Sequence, residues 1–174
     1  MSNYFDELKK SMEWLAEQEN TIFLGQAVDY PGTALYNTLR DVKSEKKIEM
    51  PVAENMQFGI SIGLSLQGFI PISVFPRWNF LLSATDQIVN HLDKIEEMSD
   101  GEFRPKVIIR VGCGSHTPLY PGPQHIGNFS SAFRLMCDNI NIVELDDPQK
   151  IFQEYKIAFN NPGSSILVEY GDLY

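Results

Sequence analysis

The chain has 174 residues, near the modal size of one domain and long enough to bury about two-thirds of its unfolded surface around one core. Its hydrophobic content of 43% and charged content of 21% exclude a disordered or fibrous chain. Fourteen basic against 23 acidic residues give a net charge of -9, which argues against binding to nucleic acid or to an anionic membrane surface.

No basic, apolar leader and no run of 18 apolar residues is present, so a cytoplasmic location is expected. Cys113 and Cys137 lack the paired spacing of a disulfide framework or a zinc site, and both are expected to be free thiols. Residues 4–19 carry Phe5, Leu8, Met12, Leu15 and Ala16 at helical spacing, which predicts an amphipathic opening helix. Thr21 to Leu24 reads as a short buried strand stopped by Gly25, and Asp29 to Thr33 as a turn. Residues 54–67 predict a helix with small and apolar residues all round, buried on most faces.

Further strands are predicted at 69–75, 106–111, 140–145 and 165–170, and further helices at 80–95, 130–136 and 148–160. A Gly/Pro-rich loop spans 112–127. Apolar strands alternating with helices imply a three-layer α/β/α fold with a mainly parallel sheet, and residues 1–174 are expected to form one domain. Ligands on such sheets sit beyond the carboxyl ends of the strands.

No phosphate-binding glycine loop of the common kinds occurs, since Gly59, Gly63 and Gly68 have the wrong spacing. Glu54 stands where a strand-like segment gives way to a helix, a position that suits either a reactive carboxylate or simple interaction with the helix dipole. His125 lies in the glycine- and proline-rich loop, where an imidazole can handle protons near neutral pH or be hydrogen-bonded within the loop. Cys113, His116 and His125 lack the spacing of a preformed metal site.

Taken in order, Val52-Ala53-Glu54-Asn55-Met56-Gln57-Phe58-Gly59, Gly68-Phe69-Ile70-Pro71-Ile72, Phe75-Pro76-Arg77-Trp78-Asn79-Phe80, Gly122-Pro123-Gln124-His125 and Val168-Glu169-Tyr170-Gly171-Asp172-Leu173-Tyr174 resemble the transketolase-type pyrimidine-binding domain of thiamine diphosphate enzymes. Within that family the likeness is to the beta subunit of the thiamine component of 2-oxoacid dehydrogenases, and it covers nearly the whole chain. The resemblance implies the thiamine diphosphate-binding fold. It also implies that Glu54 hydrogen-bonds the cofactor's aminopyrimidine and favours the tautomer that removes the thiazolium proton. By the same likeness Phe80 packs on the pyrimidine, Val52 and Pro76 complete the cofactor contacts, and His125 acts on the oxygen of the substrate.

Three departures accompany the likeness. Leu24-Gly25-Gln26-Ala27-Val28 lacks the acidic residue usual in the dehydrogenases, Ile126-Gly127-Asn128 replaces the usual Ser-Gln after the histidine, and the relatives' carboxyl-terminal domain is expected to be missing beyond Tyr174. The Gly-Asp-Gly…Asn signature that holds magnesium and diphosphate is also missing. The expectation is therefore a split, transketolase-like transferase acting on a ketose or 2-oxoacid. Its partner subunit would bind the diphosphate and Mg2+, in a homodimer or heterotetramer. The alternatives are a beta-type subunit of a 2-oxoacid dehydrogenase or decarboxylase and a non-catalytic dimerisation module of the same fold.

Overall fold

The computed structural model describes residues 3–117 and 119–174. Six strands, β1 (Thr21–Gly25), β2 (Lys47–Glu49), β3 (Ile70–Phe75), β4 (Ile108–Cys113), β5 (Ile140–Leu145) and β6 (Ser164–Tyr170), form one sheet in the order β2-β1-β3-β4-β6-β5. Every neighbouring pair is parallel. From β1 the chain runs to the edge strand β2 on one side and then returns to β3 on the other. The carboxyl ends of β1 and β3 therefore flank a reversal of strand order, the place where such sheets bind ligands.

Alternation along the strands separates two cores. Phe23, Ile72, Val74, Ile108 and Leu167 meet α1 (Tyr4–Glu17), α2 (Ala34–Thr38) and α7 (Pro148–Asn160) through Leu8, Met12, Leu39, Ile151 and Tyr155. Phe75, Ile109, Val111, Ile166 and Val168 meet α3 (Glu54–Leu66), α4 (Trp78–Leu81) and α6 (Ser130–Met136) through Phe58, Ile62, Trp78, Leu81 and Phe133. Local chemistry starts the helices: the side chains of Asn3, Thr33 and Asp147 each accept an amide of the first turn, and Pro148 opens α7 where its missing N–H costs nothing.

The structure adds β2 and α2, for which the sequence reading had no bounded element, and departs from three of the predicted elements. The helix expected over 80–95 is instead α4, a 3-10 turn at Leu82–Ala84, a wide π turn at Gln87–Leu92 and α5 (Ile95–Met98). The Asp93 amide reaches back to the Ile88 carbonyl at 2.9 Å, and the turned-in Asp93 carboxylate accepts the amides of Asp138 (3.2 Å) and Asn139 (2.7 Å). Strand β4 begins two residues late, because the amides of Lys106 and Val107 go to the Ser65 and Ser164 hydroxyls. It runs on through Gly112 and Cys113, which pair with Glu169 and Tyr170. Finally, α3 is not buried on most faces: Asn55, Met56, Gly59, Ile60 and Gly63 are exposed, left uncovered by the described residues.

Two glycines allow the sheet to close tightly at its carboxyl end. A Cβ on Gly25 would lie 2.3 Å from the Val74 carbonyl oxygen, and one on Gly112 would lie 2.4 Å from that of Pro76. The backbones thus touch where the chain leaves β1 and β3 for the candidate site.

Candidate functional site

Glu54 is the first residue of α3 and is only 9% exposed. It is delivered by a compact bend in which the Ala53 amide donates to the Pro51 carbonyl at 2.8 Å. Ala53 offers no side-chain cap, so the positive end of the helix is open to the carboxylate beside it. The Gln26 amide donates to Glu54 Oε1 at 3.1 Å, whereas Oε2 takes no hydrogen bond from a described residue.

The loop that presents Gln26 is held by Glu49. That carboxylate accepts the amides of Ala27 (2.6 Å), Val28 (2.9 Å) and Asp29 (2.9 Å), three successive donors forming a concave anion site. The Met50 amide donates to the Gly25 carbonyl at 2.8 Å, lacing the exits of β1 and β2 together. One turn beyond Glu54, the buried Gln57 amide donates to the Leu24 carbonyl, the Ser73 hydroxyl and the Val74 carbonyl, at 3.3, 3.1 and 3.0 Å. These bonds fix α3 to β1 and β3.

Past β3, the Phe80 ring meets the His125 imidazole edge to face, with centroids 5.5 Å apart and planes at 69°. His125 ends the 3-10 turn Pro123–His125 in the loop after β4, and its Nδ1 is buried without a hydrogen-bond partner. Arg77 Nη1 donates to the His125 carbonyl at 2.9 Å and to that of Gly114, while Asn79 Oδ1 accepts the Gly127 amide at 3.3 Å. Packing of Trp78 against Phe129 and Phe133 completes the docking of this loop. Burial lowers the proton affinity of the Arg77 guanidinium, which has no carboxylate within ion-pair distance among the described residues.

Pro76 and Arg77 line a cavity of about 210 Å³ together with Gly112, Ser115, Gly171 and Tyr174. Val52 lies between β2 and α3 and is 80% exposed. All five residues singled out from the sequence therefore follow the carboxyl ends of β2, β3 and β4. Phe80 and His125 touch; Glu54 instead pairs with Gln26, and Val52 points outward. A larger open cavity of about 630 Å³ lies away from them, beside α1; its lining has five acids, Glu13, Glu17, Glu19, Asp41 and Glu45, against Lys43 and Lys46, a net negative field that disfavours an anionic ligand.

Glu49 and Arg77 went unassigned in the sequence, and Gln26 stood out only as a missing acid. Arg77 lies within a family-like motif without a role there, and Glu49 lies outside every motif, because each acts on the backbone of a distant loop. An acidic residue ending an edge strand, five positions before Glu54, is the one signal Glu49 gives.

Residues 8–174 match the family model described as "Transketolase, pyrimidine binding domain". Among curated proteins, the chain is 27% identical to the pyruvate dehydrogenase E1 component subunit beta of Gracilaria tenuistipitata var. liui, over 98% of this chain and 53% of that protein. It is also 27% identical to the 2-oxoisovalerate dehydrogenase subunit beta of Bacillus subtilis, over 68% of this chain and 38% of that protein. A solved structure described as "Split gene transketolase, inactive beta4 tetramer" superposes with a TM-score of 0.74 at 17% identity, covering 96% of this chain and 51% of that one. The chain thus spans about half the length of the relatives it matches.

Proposed function

Since the chain belongs to the transketolase pyrimidine-binding domain family, whose members serve thiamine diphosphate-dependent enzymes, we propose that it binds the pyrimidine end of that cofactor at an interface with a separate, diphosphate-binding subunit. The observation that carries this reading is Glu54: a largely buried carboxylate at a strand-to-helix junction, with one oxygen held by Gln26 and the other unbonded.

The residues present fit the pyrimidine half of the cofactor. Glu54 Oε2, unbonded among the described residues, is an acceptor or proton carrier, and Phe80 supplies a flat apolar ring. The orphaned Nδ1 of His125 is a buried polar atom awaiting a partner. For the magnesium and diphosphate half, the described residues contain no cluster of three or more His, Cys, Asp or Glu suited to a metal, and the partner subunit would hold Mg2+.

When bound, thiamine diphosphate supplies a carbon nucleophile for a substrate carbonyl. Glu54 would hold and exchange the proton at the pyrimidine ring nitrogen. His125 would donate to the oxygen of the reacting substrate. Phe80, with Val52 and Pro76, would shield the ring from water, and Arg77 would keep the His125 turn against α4.

The reaction we assign is transfer of a ketol or aldehyde unit. A second reading, a beta-type subunit of a 2-oxoacid dehydrogenase or decarboxylase, is favoured by the likeness to such subunits over 98% of the chain.

The test is co-purification with a candidate diphosphate-binding protein, followed by calorimetric titration with thiamine diphosphate and Mg2+. Saturable binding should require the mixed complex. Glu54→Gln keeps a hydrogen bond but loses proton exchange, so it should weaken binding about tenfold or more and abolish turnover. Tight binding by the isolated chain, or none by any mixture, would overturn the divided-site reading.

A further inference from the structure

We propose that Gln26 is a positioning residue that occupies Oε1 of Glu54 so that only Oε2 is offered to the cofactor, and that Glu49 braces the loop presenting it. This rests on the reading of Glu54 given above.

A carboxylate at the first position of a helix is drawn toward the free amides of the first turn, and Ala53 leaves those amides uncapped. The 3.1 Å bond from Gln26 pulls Glu54 the other way, across to the exit of β1. Gln26 can do this only if its loop is fixed. Ala27 takes the left-handed conformation, φ +54°, which costs an L-residue free energy. Three charge-assisted bonds from amides 27–29 to Glu49 hold it there. The brace and the carboxylate it serves leave β2 only five residues apart.

The neutrality of Gln26 matters as well as its reach. An amide beside a carboxylate must donate, and it cannot take the proton that Glu54 exchanges. A carboxylate at position 26 would instead share that proton and raise the affinity of the pair for it. The other charged groups on the packed segments are already engaged or face solvent: Glu49 lies in its amides and Asp29 is paired with Lys47 at 2.7 Å. Asp86 and His91 are more than half exposed.

The test uses the full chain with Gln26→Glu, Gln26→Met and Glu49→Gln. Carboxyl NMR should follow the Glu54 titration, and calorimetry on the complex with its partner should follow thiamine diphosphate binding against pH. Gln26→Glu should move the Glu54 titration and the alkaline limb of binding upward by about one pH unit or more. Gln26→Met should weaken binding about five- to tenfold with an unchanged melting temperature, since among the described residues the side-chain bond lost is that to Glu54. Glu49→Gln should weaken binding without the upward pH shift. If the wild-type complex binds the cofactor while both Gln26 variants titrate and bind as it does, the positioning role is wrong and the reading of Glu54 stands. If the wild-type complex binds no cofactor, both fall together.

Discussion

Arg110 and Glu169 face each other on β4 and β6 with no exposure to solvent, joined by Nε to Oε1 at 2.5 Å and Nη2 to Oε2 at 2.9 Å. Tyr155 and Tyr174 donate their hydroxyls to the same carboxylate, and Arg110 Nη1 reaches the Leu35 carbonyl at 3.4 Å. Burial, and then the Glu169 charge, push both tyrosines well above their ordinary range. Burial alone would lower the proton affinity of Arg110, but the Glu169 charge, together with Tyr174, Tyr155 and the hydrogen bond to Glu169, outweighs it and keeps the guanidinium charged. Arg110→Met would strand a buried carboxylate and should cost about 3–5 kcal/mol, whereas Arg110→Met with Glu169→Leu should cost less than the sum of the single changes. Urea denaturation decides it, and strict additivity would show that the pair is not coupled. Asp172 gives a pH-dependent case at the same scale. The His116 side chain, then the amides of His116 and Thr117, pull its carboxyl down to about 2 from 3.8. A depressed carboxyl stabilises the fold above its unfolded value and loses that contribution as pH falls through its folded value. The amide NMR signals of His116 and Thr117 should therefore shift as pH falls from about 4 to 2. Asp172→Asn should remove that transition. Little of this was legible in the sequence: Glu54 and His125 stood out through ordered motifs, whereas Arg110, Glu169, Gln26 and Glu49 gain their roles from strand and loop partners 20 to 59 residues away.

The elements place the site by how closely they approach. Gly25 marks a close approach of β1 and β3, since an added Cβ would lie 2.3 Å from the Val74 carbonyl. Gly25→Ala must therefore spread the two strands. It should destabilise by about 1–3 kcal/mol and, by moving the adjacent Gln26, lower cofactor affinity in the complex. Thermal melting and calorimetry would read the two effects separately, and a variant as stable as the wild type would deny that close approach matters. Glycine at this position could be read from the sequence only as a strand stop, not as a contact. Strands β1 and β3 were legible because near-continuous apolar runs are what a sheet covered on both faces requires, and β5 and β6 because Ile, Leu and Val cluster in them. The same reasoning failed over 80–95, where the apolar spacing is helical but the π turn answers to Asp93 and its bonds to Asp138 and Asn139. A buried acid capping a segment 45 residues away leaves no periodic trace.

At the scale of the whole molecule, two features call for a partner under the proposed function. The net charge of -9 opposes an anionic cofactor, so the diphosphate needs cations that this chain does not concentrate near Glu54. The second is the surface around that carboxylate. From Asn55 to Gln67 there is no charged residue, and Met56, Ile60 and Leu66 are exposed along α3, with Val52 and Leu82 exposed beside it. Freedom from charge with exposed apolar side chains is the composition of an interface core rather than of a solvated face. Because that face begins at Glu54, a subunit covering it would also exclude water from the carboxylate. Ile60 is 38% exposed and Gly59 and Gly63 beside it leave room, so Ile60→Asp should keep the fold and its melting temperature. In the complex the new carboxylate would be desolvated without a partner, weakening association by about tenfold or more. Gln153→Asp, on the exposed side of α7, adds the same charge elsewhere and should leave assembly unchanged. Sedimentation of the chain alone and with its diphosphate-binding partner separates the cases. Loss of the mixed complex only with Ile60→Asp assigns α3 to the subunit interface, while equal assembly of both variants would mean that the cofactor end of Glu54 is covered from another side.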